Sequence, residues 1–190
     1  MGLLTDLLGD GNATSAPPQH MFKSGSYYAA RAYASTTGAT VLDRINTSAF
    51  VVDEYVTIDR IGVEVTTVGA AGALVRLGIY SDDGASYPGG LLLDAGTVDS
   101  AASTGFKELV ISQALPKGVY WLAAVSQSAT CTLRLHSPVA QVGTSNALTV
   151  SQNILSGWQQ TGVSGALPAT FSTTQNPSGG AVPRIIVRAA

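Results

Sequence analysis

Charge is scarce in this chain. Asp, Glu, Lys and Arg supply 12% of its 190 residues, against about a quarter in an average soluble protein. The surface must therefore be covered largely by Ser, Thr, Gly, Ala, Asn and Gln, which suits packing against other protein or against sugar. The formal net charge is -2, and the arginines are scattered singly along the chain. No positive field is available to hold a phosphate backbone, so nucleic acid is not an expected partner.

Cysteine is nearly absent as well. Cys131 stands alone, which excludes an intramolecular disulfide and any need for an oxidising compartment. In ATCTLRLH it alternates in period two with Leu133 and Leu135, against Thr132 and Arg134, and reads as a small core residue of a strand. Histidine is limited to His20 and His136. There is no Gly-x-Ser-x-Gly turn, no histidine pair at metal spacing and no phosphate loop. The chain is read as a non-enzyme that needs no cofactor. Asp53 and Glu54 are adjacent and face opposite sides of a strand, while Asp94 and Asp99 read as solvated groups near strand ends, so no carboxylate pair is set up for glycoside hydrolysis.

Long hydrophobic runs are missing too. The start, MGLLTDLLGDGNATSAPPQH, has no basic leader, and Asp6 interrupts an apolar run far too short to cross a bilayer. The expectation is a soluble chain made in the cytoplasm, with no membrane insertion. What the start does contain is Leu3, Leu4, Leu7 and Leu8 at helical spacing, ended by Gly9, Gly11 and Asn12. Two helical turns are marginal alone and need something to dock on. Residues 1–25 are accordingly read as an anchor and linker, and residues 26–190 as one domain.

From Tyr27 onward short β runs alternate with turn residues. DRIGVEVTTV sets Ile61, Val63 and Val65 against Arg60, Glu64 and Thr66, and ALVRLGIY turns Val75, Leu77 and Ile79 inward. GVYWLAAV is apolar on both faces, which predicts a central strand covered on one side by the opposing sheet and on the other by a neighbouring subunit. Gly78 leaves room in mid-strand, and Trp121 is the expected occupant. No long helical period follows the first ten residues. The class is all-β, an antiparallel sandwich of jelly-roll type.

Between the apolar runs lies SDDGASYPGG. Asp82 and Asp83 are the only hint of a metal site, but adjacent carboxylates diverge, and the Asp, Gly and Pro content is that of a turn. A second candidate site is SGWQQTG, where Trp158 offers an aromatic platform and Gln159 and Gln160 offer amides, with Tyr87 as a further aromatic. That composition suits carbohydrate. The competing reading tucks Trp158 under its own loop or against another subunit.

The stretch from Arg60 to Gln127 carries RLGIY, an acidic glycine turn, PGGLLL, AGTV and later LPKGVYWL. In this order they resemble a jelly-roll-like sandwich module of bacteriophage virion appendages: tail fibres, baseplate and minor tail proteins, and head fibres. With the strands from Phe50 and the ending PRIIVR, the likeness covers roughly residues 45–190. The resemblance implies a structural protein of the virion, a homotrimer attached to other virion proteins through its N-terminal segment, with host-surface glycan as a further partner. The alternative is a carbohydrate-binding sandwich acting as an adhesin or lectin.

Overall fold

The computed structural model describes residues 22–30, 32–138, 157–172, 177–178 and 180–190. The anchor leucines Leu3, Leu4, Leu7 and Leu8 lie outside the described residues, as does the whole of SNALTVSQN. Thirteen strands and no helix occur among the described residues.

After a short β1 (Tyr27–Ala29), eight strands carry the architecture: β2 (Ala32–Ala39), β3 (Ile45–Val52), β4 (Val56–Thr67), β5 (Leu74–Asp82), β6 (Pro88–Asp99), β7 (Gly105–Leu115), β8 (Gly118–Gln127) and β9 (Thr132–Pro138). Their antiparallel pairing is nested: β5 with β6, β4 with β7, β3 with β8, and β2 with β9. The chain is one long hairpin whose tip is the β5–β6 turn, rolled so that successive pairs fall in alternate sheets. Rolling brings β9 against β4 and β8 against β5. The resulting orders, β2-β9-β4-β7 and β3-β8-β5-β6, are those of a jelly roll.

Four short strands complete the sheets. β10 (Gly157–Gln160) extends the second sheet beyond β3, and β11 (Pro177–Ser178) lies outside it. The ending PRIIVR is split between two strands. β12 (Val182–Pro183) pairs with β9, then β13 (Ile186–Ala189) steps across to β4 and carries β1 on its far side. Phe22 already packs on the core, edge to face with Tyr28 at 4.9 Å, so the domain reaches slightly further toward the N-terminus than residue 26.

The inter-sheet core follows the alternation. Ile61, Val63, Val65 and Leu133 from the first sheet meet Val75, Leu77, Ile79 and Leu122 from the second, all at most 1% exposed. Burial of each such side chain contributes about 1.5–3 kcal/mol. Cys131 lies in this core with its Sγ 3.8 Å from Ser126 Oγ. Ile58 is also fully buried there, although it stands three residues before Ile61. A shift of register between Ile58 and Arg60 absorbs the odd residue, as a β-bulge does.

The structure corrects two expectations about β8. Its second face, with Trp121, Ala123 and Val125, is covered by the chain itself, through Val163, Leu167 and Phe171, and not by a neighbouring subunit. The room above Gly78 is likewise filled by Leu167. A Cβ at Gly78 would collide with Leu167 Cδ1 and stand 2.6 Å from the Leu93 carbonyl oxygen. Trp121 is in register with Tyr80 instead, and Gly78 with Ala123.

This geometry predicts that Gly78→Val lowers stability by about 1–3 kcal/mol in urea titration. Adding Leu167→Ala should recover only part of the loss, because the Leu93 carbonyl is backbone and cannot give way. A single variant with the wild-type midpoint would refute the close approach.

Candidate functional site

The segment from Thr161 to Ser172 is the structural centre of the candidate site. It has no regular strand of its own, and it stays down because its backbone is hydrogen-bonded at several points. Gln127 Nε2 donates to the carbonyls of Val163 (3.1 Å) and Gly165 (2.6 Å). Leu167 N–H donates to Asp94 Oδ2 at 3.0 Å, and both oxygens of that carboxylate lie 2.9 Å from Arg76 Nη1. Arg76 Nε donates in turn to Gln127 Oε1 at 3.3 Å. Asp94 is thus a member of a half-buried network in mid-β6, which corrects its reading as solvated surface near a strand end. Burial works against its ionisation, but the Leu167 N–H, the Arg76 guanidinium and the Gly96 N–H together hold its pKa below the usual carboxylate range.

The adjoining SDDGASYPGG loop closes on itself. Asp82 accepts Trp121 Nε1–H at 2.8 Å and Gly84 N–H at 2.9 Å. Asp83 Oδ1 accepts the N–H groups of Ala85 (2.7 Å) and Tyr87 (3.3 Å). The bonds from the Gly84 and Ala85 N–H groups are Asx-turn bonds, each reaching the aspartate two residues back. Among the described residues no group of three or more His, Cys, Asp or Glu side chains is placed to hold a metal ion. Pro88 opens β6, a position where the N–H it lacks is least missed.

Trp158 lies in the short strand β10 and not in a loop. β10 can approach β3 closely because Gly157 carries no side chain: a Cβ there would collide with the Thr47 carbonyl. Trp158 Nε1 donates to the Ser86 carbonyl at 3.0 Å, and Ser86 holds a left-handed backbone with φ 61°. That conformation is unfavourable for a residue with a side chain, and the tryptophan bond ties it in place. The indole is tilted over Tyr87 with centroids 4.3 Å apart, Tyr87 meets Phe171 at 5.8 Å, and Phe171 meets Tyr80 at 5.6 Å. Tyr87 also donates its hydroxyl to the Ser172 carbonyl.

The two glutamines do not share one surface. Gln160 pairs with Ile45 and Gln159 with Asn46, and successive strand residues point to opposite faces. Gln160 Oε1 accepts the Ser172 N–H at 3.0 Å, on the side of the aromatic ladder. The structure therefore brings together Trp158, Tyr87 and Gln160, all half-buried, and leaves Gln159 on the other face. Phe171, buried at 1% exposure, packs against Tyr87, and the Ser172 backbone holds both Tyr87 and Gln160. Sequence reading missed both, since only the register of β10 and the course of the covering segment bring them there.

On the first sheet His136 is buried, with Nε2 lacking a hydrogen-bond partner among the described residues. Burial first, and the positive field of Arg184 second, push its pKa down to about 4.

Neither a protein-family model nor a curated protein sequence matches the chain. Among the described residues no helix is long and apolar enough to cross a membrane.

The depressed His136 pKa makes stability depend on pH. Folding favours the neutral ring, so its contribution is complete above about pH 6.5, the ordinary histidine value, and is lost as pH falls from there toward about 4. The gap corresponds to about 3 kcal/mol. Urea midpoints of the wild type should fall between about pH 6.5 and 4.5, and His136→Gln should flatten that slope. Equal slopes for the two proteins would show that the imidazole titrates as freely folded as unfolded.

Proposed function

We propose that the chain is a structural protein of a phage virion, a tail or head appendage such as a fibre, spike or baseplate component. In this reading it is held to other virion proteins through residues 1–25, assembles as a homotrimer, and adds contact with a host-surface glycan. The observation that carries the reading is the placement of the quoted motifs within the jelly roll. RLGIY lies in β5, the acidic glycine turn is the hairpin tip, AGTV lies in β6, and LPKG forms the two-residue turn into β8. Most of the motifs that resemble those of virion modules thus fall in the innermost hairpin, β5–β6, and the last falls where the chain crosses from β7 to β8.

A homotrimer needs apolar surface that the protomer does not cover. The second face of β8 does not supply it, and the outer face of the first sheet offers a few apolar side chains set among the Arg60–Glu108 and Arg188–Asp59 ion pairs. Val110 on β7 is 76% exposed, with Phe106 and Tyr27 nearby at 42% and 47%. Tyr27 and Phe106 stand edge to face at 5.7 Å. Exposed aromatic and branched side chains are common material of a subunit contact.

Native mass measurements of the full chain and of a chain beginning at Met21 test this reading. Trimers from both would locate assembly in the sandwich. Monomers from both would remove the homotrimer and leave the lectin reading in its place. In particles, the shortened protein should fold and yet fail to be incorporated.

A second reading, a carbohydrate-binding adhesin or lectin, is favoured by one feature: Trp158 and Tyr87 form a half-exposed aromatic surface beside Gln160. Trp158→Ala removes one aromatic contact and one hydrogen bond, with an expected cost of about 2 kcal/mol. If the surface binds glycan, the variant loses binding at temperatures where circular dichroism shows it folded; unchanged binding assigns Trp158 to holding the loop.

A further inference from the structure

The tip of the β5–β6 hairpin holds a chemically labile peptide unit. Asp-Gly occurs in the sequence at Asp10–Gly11 and Asp83–Gly84, and Asn-Gly does not occur; among the described residues Asp83–Gly84 is the one such unit. In an aspartyl peptide the side-chain carboxyl carbon is open to attack by the backbone nitrogen of the next residue, which closes a five-membered succinimide. A following glycine makes this easiest, because no side chain hinders the nitrogen. Asp83 and Gly84 are both exposed, and a Cβ added at Gly84 would meet no atom within 4 Å. The backbone at Gly84 has φ 92°, so the turn itself requires glycine.

Two sets of hydrogen bonds stand against that reaction. The nucleophile is tied, because Gly84 N–H donates to Asp82 Oδ2 at 2.9 Å. The electrophile is tied as well, since Asp83 Oδ1 accepts the N–H groups of Ala85 and Tyr87 at 2.7 and 3.3 Å. Asp82 is in turn fixed to the body of the domain: its Oδ1 accepts Nε1–H of Trp121, a fully buried side chain. An amide nitrogen attacks only as its proton leaves and its lone pair gives up conjugation with the peptide carbonyl. A hydrogen bond to a carboxylate holds that N–H in its present direction. Turning the Asp83 carboxyl toward Gly84 also gives up two backbone donors at once.

We propose that Asp83–Gly84 is a site of spontaneous isomerisation in this domain, and that Asp82, held by Trp121, is the residue that restrains it. In the first step the bond from Gly84 N to Asp83 Cγ forms, a Cγ–Oδ bond of the protonated carboxyl breaks, and its hydroxyl leaves with the amide proton as water. Water then opens the ring. Attack at Cγ restores aspartate; attack at the main-chain carbonyl of Asp83 breaks its bond to Gly84 N and leaves isoaspartate, with the chain running through Cβ and Cγ. One water is released and one is taken up. The product carries an extra carbon in the backbone of the tip, which displaces the Ala85 and Tyr87 donors and the Ser86 carbonyl that accepts the Trp158 indole N–H. Restraint by Asp82 therefore also preserves the aromatic surface around Trp158. The inference stands whether the chain is a virion appendage or a free lectin.

The test follows isoaspartate with time in the full chain, kept folded in warm, mildly acidic buffer, beside a synthetic peptide of residues 79–91. Trypsin releases residues 77–107 as one peptide, whose aspartyl and isoaspartyl forms separate by chromatography, with Asp94 and Asp99 as internal references. Isoaspartate is expected at Asp83 in the synthetic peptide, and at least about tenfold more slowly in the folded chain. Asp82→Ala should restore most of the rate of the free peptide. Tyr87→Phe removes the bond to the Ser172 carbonyl in the same loop and leaves Asp82 and Gly84 as they are, so it should remain slow. Each protein is held below its own melting temperature. The proposal is overturned if the free peptide gives no isoaspartate at Asp83, if the folded wild type reacts as fast as that peptide, if Asp82→Ala reacts no faster than the wild type, or if Tyr87→Phe reacts as fast as Asp82→Ala.

Discussion

The constraint on which most of this structure depends is that the second sheet is apolar on both faces. An ordinary sandwich buries one face of each sheet and leaves the other to water. Here Tyr80, Trp121, Ala123 and Val125 point away from the inter-sheet core and are buried all the same, because the segment from Thr161 to Ser172 lies across them. The covering segment pairs with β6 only through the bridge between Thr170 and Gly90, and the Gln127, Arg76 and Asp94 side chains help to fix the rest. The Arg76–Asp94 pair is about one fifth exposed, at 21% and 22%, so it is only partly screened by solvent. Its value lies less in the ion pair itself than in keeping the Leu167 backbone donor and the two charges satisfied together.

The nested hairpin explains how one segment comes to matter so much. Every pair outside the β5–β6 tip joins strands more remote in sequence than the pair inside it. The outermost pair, β2 with β9, joins residues such as Ala39 and Thr132. The sheets can close only after long stretches of chain have come together, a topology associated with slow folding. The covering segment is later still in the chain, and it docks on a surface that exists only once β3, β5 and β8 are paired. The candidate glycan surface thus depends on pairs between residues remote in sequence.

Much of the fold was legible in the sequence because it rests on period two. The runs from Arg60 to Val68 and from Leu74 to Tyr80 declare their inner faces, and Leu-Pro-Lys-Gly declares its turn. The two-faced apolar character of GVYWLAAV was equally legible. What covers it was not, since pairing between Leu167 and Gly78 has no local signature. The site was less legible than the fold. Trp158, Gln159 and Gln160 look like one polar and aromatic patch until the strand register sends Gln159 to the other face. Asp94 looked like surface because its partners, Arg76 and the Leu167 N–H, are remote in sequence. That His136 Nε2 has no hydrogen-bond partner among the described residues depends on where β2, β9 and β12 meet and cannot be read from any one of them.

The edge formed by β1 has a mechanical meaning. Tyr27 pairs with Arg188, Ala29 with Ile186, and Gly25 N–H reaches the Ala189 carbonyl at 2.8 Å. The chain thus enters the sandwich beside the place where it leaves. Tension pulling the preceding residues away from β13 meets the β1 hydrogen bonds one after another, as a zipper does, and not in parallel. Three residues of strand yield at low force. The next element in line is β2, eight residues long and paired along β9, which offers a longer row of bonds. Such an entry gives a tethered domain a short compliant stretch ahead of a stiff body, so a sudden pull is spent on β1 before it reaches the core.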